Sequence, residues 1–371
     1  MKKWIVLAAS AAVLASVVVL FGYLGMMRHG PRLIVATWDG TYGRAQITTQ
    51  IAPFARTSGS DAVFAVYDGG TRELARQVAA QRYAWDVIDL EMPDAVAACA
   101  EGLLEPIDAA ALPAGPDGKP AAEDFVPGAI GPCWVASAVY SQVIAVAPIH
   151  FGDATPSTLA DFFDLTRFPG KRALNRLSPK LNLEMALLAD GVAPKDVYAE
   201  LSTPQGVARA LGKLETLHGH LVWYSNLDEV KKMLQDGSIV FASMPNWAVF
   251  DTDNGEHWLG PKLNIIWDRQ LYEVEAFGIP KGDPRRKLAM DFIRFATESK
   301  SLGGMASWVA YGPARLSALP LVGINPDLKV AMTPYLPTAH FGTAFAVDDG
   351  WWRLHGADAE VLWQAWLAKE P

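Results

Sequence analysis

From Pro31 onward, short apolar runs alternate with amphipathic stretches, and this alternation restricts the possible folds more than any other feature. Residues 33–38 are apolar and enter the turn Asp39-Gly40-Thr41; residues 44–57 read as a helix and 62–67 as a second strand. The pair Gly69-Gly70 with Thr71 opens a helix running through Gln81, residues 86–90 form a third strand, and a helix covers 93–101. Strand–helix–strand units at this spacing predict right-handed crossovers and a parallel sheet with helices on both faces. A loop rich in Pro, Gly and Ala follows over 108–132. Residues 135–148 then form a long β-rich run able to carry the chain into another lobe. Beyond it, helical stretches over 155–164, 180–190, 203–217 and 227–235 interleave with strands at 220–224 and 239–243. Residues 264–268 and 271–280 read as two further strands, and 284–296 as a helix. At 371 residues the chain exceeds what one core usually fills.

Apolar residues make up 51% of the chain and charged ones 19%, enough to build buried cores and too apolar for extensive disorder. The formal charge is −8, from 32 basic and 40 acidic residues. A surplus of acid repels phosphate backbones, so nucleic acid is not an expected partner. At the start, Lys2 and Lys3 precede an uncharged apolar run over residues 4–24, closed by Arg28 and Pro31. A basic start followed by such a run is an export signal, and this one is also long enough to span a bilayer. The nearest small-x-small cleavage site, Val13-Leu14-Ala15, falls inside the run, and no lipobox cysteine is present. The globular part is therefore expected in the periplasm, either freed by cleavage or anchored to the inner membrane by residues 4–24. The two cysteines, Cys99 and Cys133, are expected to pair in an exported protein.

In open α/β sheets, ligands sit beyond the carboxyl ends of the strands. The residues there are aromatic and acidic: Trp38 and Asp39 after the first strand, Asp89 and Glu91 after the third, and Trp247 after 239–243. Glu273 and Glu275 alternate along a strand, and Tyr311 and Asp348-Asp349-Gly350-Trp351-Trp352 come later. Carboxylates with aromatic faces suit an alkylammonium: the acids make charge-assisted hydrogen bonds, and the rings attract the cation and cover its methylenes. Each residue also has an ordinary alternative, as turn former, helix cap, solvent-facing acid or packing ring. His218 and His220 lack a third metal ligand nearby, and the Asp251-Thr252-Asp253-Asn254-Gly255 loop lacks the glutamate that closes a calcium site. There is no G-x-S-x-G, no Walker A and no dinucleotide fingerprint, so neither an enzyme nor a resident cofactor or metal is expected.

Six stretches, in order, carry a family likeness: Trp85-Asp86-Val87-Ile88-Asp89-Leu90-Glu91, Glu101-Gly102-Leu103-Leu104-Glu105-Pro106, Phe168-Pro169-Gly170-Lys171-Arg172, Asn182-Leu183-Glu184-Met185-Ala186-Leu187-Leu188-Ala189-Asp190-Gly191-Val192, Ile279-Pro280-Lys281-Gly282 and Tyr311-Gly312-Pro313. In these the chain resembles the ABC-transporter substrate-binding proteins of the spermidine/putrescine type over about residues 32–368. The resemblance implies an α/β, two-lobed type II periplasmic-binding fold, each lobe a mixed sheet flanked by helices, with the ligand cleft between them. The implied division is 1–30 as signal peptide or anchor, 31–142 and 271–325 as lobe 1, and 143–270 and 326–371 as lobe 2. It implies capture of a small cationic solute, a polyamine such as putrescine or spermidine, and its delivery to ABC importer permease subunits in the inner membrane. The implied site residues are Trp38 and Asp39 at an aromatic-plus-polar motif, Glu91 as a polar contact, Glu275 as the amine-binding carboxylate and Tyr311 as a pocket tyrosine. Glu273 stands where polyamine binders often carry tryptophan, and Pro245 replaces another aromatic, for which Trp247 is a substitute. A tethered enzyme or structural protein reusing the clamp, or a binder of another solute, stays open as an alternative.

Overall fold

The computed structural model describes residues 30–152 and 154–369, so the apolar run of residues 4–24 lies outside the described part. Among the described residues no helix is long and apolar enough to cross a membrane. Among the described residues, nine strands form one sheet: β1 (Arg32–Thr37), β2 (Asp61–Val66), β3 (Val87–Glu91), β4 (Val135–Val146), β5 (Arg172–Asn175), β6 (Leu221–Tyr224), β7 (Phe241–Pro245), β8 (Asn264–Gly278) and β9 (Phe345–Ala346). Their order is β2-β1-β3-β8-β4-β7-β5-β6, with β9 beside β8. β1 pairs in parallel with β2 and β3, and β5 in parallel with β6 and β7. These parallel pairs are the strand–helix–strand units of the alternating pattern, but β8 pairs antiparallel with β3 and β4, and β4 with β7, so the sheet is mixed rather than parallel.

The fold is a mixed α/β sheet with flanking helices, divided into two lobes. The sheets of the two lobes are continuous, because β4 and β8 are long enough to serve both. Their antiparallel register runs from Val135 opposite Phe277 at one end to Val146 opposite Asn264 at the other. One buried core gathers Leu33, Val35, Ile88, Leu90, Phe277, Phe292 and Ile293. A second gathers Phe162, Phe168, Leu174, Leu187, Phe241 and Trp363, with a third around Tyr224, Leu234 and Met244 on the same lobe.

Residues 264–268 and 271–280, which read as two strands in the sequence, form the single strand β8 with an irregularity between them. The partner of Gln142 is Leu271 whereas the partner of Ile144 is Ile266, so residues 267–270 are surplus to the ladder. Arg269 takes a left-handed conformation there (φ +56°), and the surplus residues bend the strand without ending it. Cys99, at the end of the helix Met92–Ala100, is bonded to Cys133 in the loop ahead of β4. The expected disulfide is therefore present.

Candidate functional site

Strand register places the acids. Glu91 is paired with Glu275, Asp89 with Phe277, and Tyr140 with Glu273. Partners across a ladder share a face, as do alternate residues along a strand. Asp89, Glu91, Tyr140, Glu273 and Glu275 therefore all point to one side of β3, β8 and β4. Trp38, just past β1, donates its indole N–H to Glu275 Oε2 at 3.1 Å and lies edge-on to Tyr67, with ring centroids 4.9 Å apart. Tyr311 is brought in by its neighbour Gly312, whose backbone bonds to Val139 in both directions at 2.8 and 2.7 Å. A Cβ on Gly312 would stand 2.5 Å from Thr338 Oγ1, so the glycine permits this close approach. The Tyr311 ring then sits 4.9 Å from Tyr42 and 6.1 Å from Tyr140.

Asp89 lies beneath this face, wholly buried, and accepts from Ser137 at 2.6 Å, Tyr42 at 2.9 Å, Gln46 at 2.5 Å and Thr37 at 3.3 Å. Burial pushes its carboxyl up to about 6, with the four donors pulling the other way. Its oxygens are thus engaged by the protein, and it fixes Tyr42 and Ser137 under the cleft. Glu275 is 4% exposed. Burial, then the charges of Asp89 and Glu91, drives its carboxyl well above the ordinary value, opposed by the Trp38 hydrogen bond. Among the described residues no cation is paired with it. Glu91 is exposed at the rim; burial of its carboxyl and the nearby charges of Asp94 and Asp349 raise it, while Lys180 lowers it.

Lys180 is the cation of the site. Its Nζ donates to Asp349 Oδ1 at 2.6 Å and to Glu273. Asp349 opens the helix Asp349–Leu367, whose N-terminus favours an anion; Asp348 caps it by accepting from Trp351 N at 2.9 Å. Burial, then the charge of Glu273, lifts Asp349 to about 7, and burial also raises Glu273. Burial works against the Lys180 ammonium, but the two carboxylates outweigh it and hold its pKa above the usual lysine value. The Tyr140 hydroxyl lies within the fields of Glu273, Glu275, Glu91 and Asp349, which with its burial raise its pKa.

Of the residues singled out in the sequence, Trp38, Glu91, Glu273, Glu275 and Tyr311 come together, with Asp89 below them. Asp39 is exposed and accepts from Gly40 N at 2.7 Å as a helix cap. Trp247 is half-buried and packs towards Phe250, Ala310 and Met332. Tyr140, Lys180 and Asp349 join the group without having been singled out as site residues. Beside the site, where Tyr272 and Val274 show the opposite face of β8, lies a cavity of about 680 Å³. Its walls include Met92, Val96, Trp134 and Tyr198, and Glu273 and Asp349 line it as well. The acids and rings, not this mainly apolar cavity, define the candidate site.

Buried carboxylates short of a cation, next to aromatic faces, are a receptor for positive charge: a bound ammonium replaces the lost hydration and the rings cover its apolar stem. Nothing in the arrangement supplies an activated nucleophile.

The chain is 34% identical over 339 residues to a gamma-aminobutyric acid-binding protein of Pseudomonas aeruginosa, covering 91% of each. The solved structure of a GABA receptor is 26% identical with a TM-score of 0.72, over 92% of this chain and 98% of the other. An ABC transporter substrate-binding protein from Bradyrhizobium japonicum is 25% identical with a TM-score of 0.74, over 91% and 99%. The PBP MotA from A. tumefaciens, solved in complex with glucopine, is 25% identical with a TM-score of 0.67, over 90% and 99%. Residues 61–338 match the family described as bacterial extracellular solute-binding protein. With three quarters of its length inside that match and two lobes facing a shared cleft, the chain belongs to the bacterial extracellular solute-binding proteins, which hand small solutes to ABC importers.

Proposed function

We propose that this protein captures a small solute carrying a primary ammonium group, and that the solute's other end is a carboxylate, as in a short ω-amino acid such as 4-aminobutyrate. Glu275 carries this reading. It is a buried carboxylate with an indole N–H on one oxygen, no cation beside it among the described residues, and the rings of Trp38, Tyr140 and Tyr311 around it. A ligand ammonium supplies the missing charge. Two observations support a carboxylate at the far end: the presence of Lys180 among the acids, and relatives whose names specify gamma-aminobutyric acid and GABA. Binding of ligand to both lobes then favours the closed form by its higher affinity for it.

A polyamine is the second reading, favoured by the surplus of acid: Glu273 and Asp349 bind the lysine, while Glu91 and Glu275 add two further carboxyls. Titration calorimetry with 4-aminobutyrate, 1,4-diaminobutane and spermidine separates the two. The expected result is saturable heat with 4-aminobutyrate and at least about tenfold weaker binding of the diamine, a gap of about 1.4 kcal/mol. Preference for the diamine or spermidine would reject the carboxylate half of the reading. Silence toward all three at millimolar ligand would reject the ammonium half as well.

A further inference from the structure

We infer that Lys180 is the specificity-determining residue of the cleft: its tethered ammonium occupies what would otherwise be a second ammonium subsite, formed by Glu273 and Asp349, and presents a donor to the ligand's carboxylate instead. This rests on the ammonium site at Glu275 proposed above and names what selects the other end of the ligand.

The geometry has three parts. First, Glu273 and Glu275 are two residues apart on one face of β8, so their backbones are separated by ~6.6 Å at about 3.3 Å per residue. That separation is comparable to the nitrogen-to-nitrogen span of a short diamine, and the two acids without Lys180 would form two ammonium seats in a row. Second, the seat at Glu273 is already filled. Lys180 bonds to Glu273 and to Asp349, whose side chains are 5% and 2% exposed. Asp349 Oδ2 is buried without a hydrogen-bond partner, so this carboxylate is only half satisfied by the lysine. Third, an ammonium has three donors, and Lys180 gives two of them to these acids. Its side chain keeps 17% exposure and acts on Glu91 of the facing lobe, so it borders the cleft.

A purely stabilising part for this cluster is a poor explanation of it. Buried ion groups contribute little net stability compared with apolar packing of the same volume, because the desolvation of three charges offsets their attraction. Their effect is on which charges a site admits, and a fixed cation repels a second ammonium arriving at the same seat. The Lys180 ammonium thus lets one end of a ligand be positive and requires the other to be negative or neutral.

The test is calorimetry on the wild type, Lys180→Met and Lys180→Met/Glu273→Gln with 4-aminobutyrate and 1,4-diaminobutane. Circular dichroism checks the fold, and Lys180→Gln serves if the methionine variant does not fold. The expected outcome is an exchange of preference: Lys180→Met loses about 10- to 100-fold in affinity for 4-aminobutyrate and gains at least about 10-fold for the diamine. The added Glu273→Gln change abolishes the gain. A lysine with a structural part alone would weaken both ligands together and lower the melting temperature. That pattern, or the absence of any diamine gain, overturns the inference whatever the wild type binds. Failure of the ammonium site itself shows separately, as wild-type protein silent to every amine.

Discussion

Replacing Cys99 and Cys133 by alanine lowers stability by about 4 kcal/mol, the largest loss expected from any change discussed for this protein. The bond closes a segment with a sequence separation of 34, and the loop-entropy relation gives about that figure for a ring of this size. It ties the end of the helix Met92–Ala100 to the loop ahead of β4. Met92 and Val96 from that helix, and Gly128 and Trp134 from that loop, form one wall of the 680 Å³ cavity. The bond therefore joins the two elements that make up this wall of the cavity. Thermal unfolding of the double variant, and of wild type with and without reductant, should show a drop of at least roughly 5 °C. Equal melting temperatures with and without the bond would remove it from the account of stability.

The second large effect is at Glu275, where Gln in its place weakens an ammonium-bearing ligand by about 1–3 kcal/mol, roughly 5- to 150-fold. Glutamine keeps an acceptor for the Trp38 indole but not the charge. The same change should leave the empty protein at least as stable, because burial and the neighbouring Asp89 and Glu91 already disfavour the Glu275 anion. The sign follows from linkage. An acid whose folded-state pKa is raised contributes stability below its unfolded value, and that contribution is lost as pH rises through the folded value. Glu275, Asp89 (about 6) and Asp349 (about 7) all act in this direction, so they make the empty protein less stable as pH rises from about 4 to beyond 7. A cation that favours the Glu275 anion then expels its proton. Binding heats measured in buffers of different ionisation enthalpy should reveal that release in the wild type, and less of it in Glu275→Gln. Unchanged affinity in the variant would remove Glu275 from the ligand.

The elements themselves were legible because burial imposes a period. Residues 227–235 read as a helix, and Leu227–Gln235 is one, with Asn226 capping it by accepting from Glu229 N at 3.0 Å. The split of β8 into two strands has a different origin. Arg269 and Gln270 break the apolar pattern, and only the neighbouring strand β4 shows that the ladder resumes. At the site, Trp38 and Glu91 stood out as aromatic and acidic residues at strand ends, Glu273 and Glu275 as acids alternating along a strand, and Tyr311 through the family likeness. Tyr140 did not, because it sits in the middle of an apolar run and reads as core. It reaches the cleft only because β4 passes from one lobe to the other. Lys180 had no signal at all: it lies in the turn before the helix Asn182–Ala189, and its partners are 93 and 169 residues away. Asp349 was visible as part of an acid–tryptophan cluster, but its tryptophans pack elsewhere. Trp351 packs at a tilt against Tyr198, and the Trp352 indole donates to Glu184 at 2.6 Å.

The strand that carries Glu273 and Glu275 is also one of the two that join the lobes. Its ladder with β4 is interrupted on either side of the acids, between Ala136 and Ala138 and again at 267–270. A swing of one half of the molecule against the other therefore tilts the carboxylates along with the backbone that bears them. On the proposed reading grip and jaw are a single part, and a solute of the wrong length would disfavour shutting by straining the pivot itself.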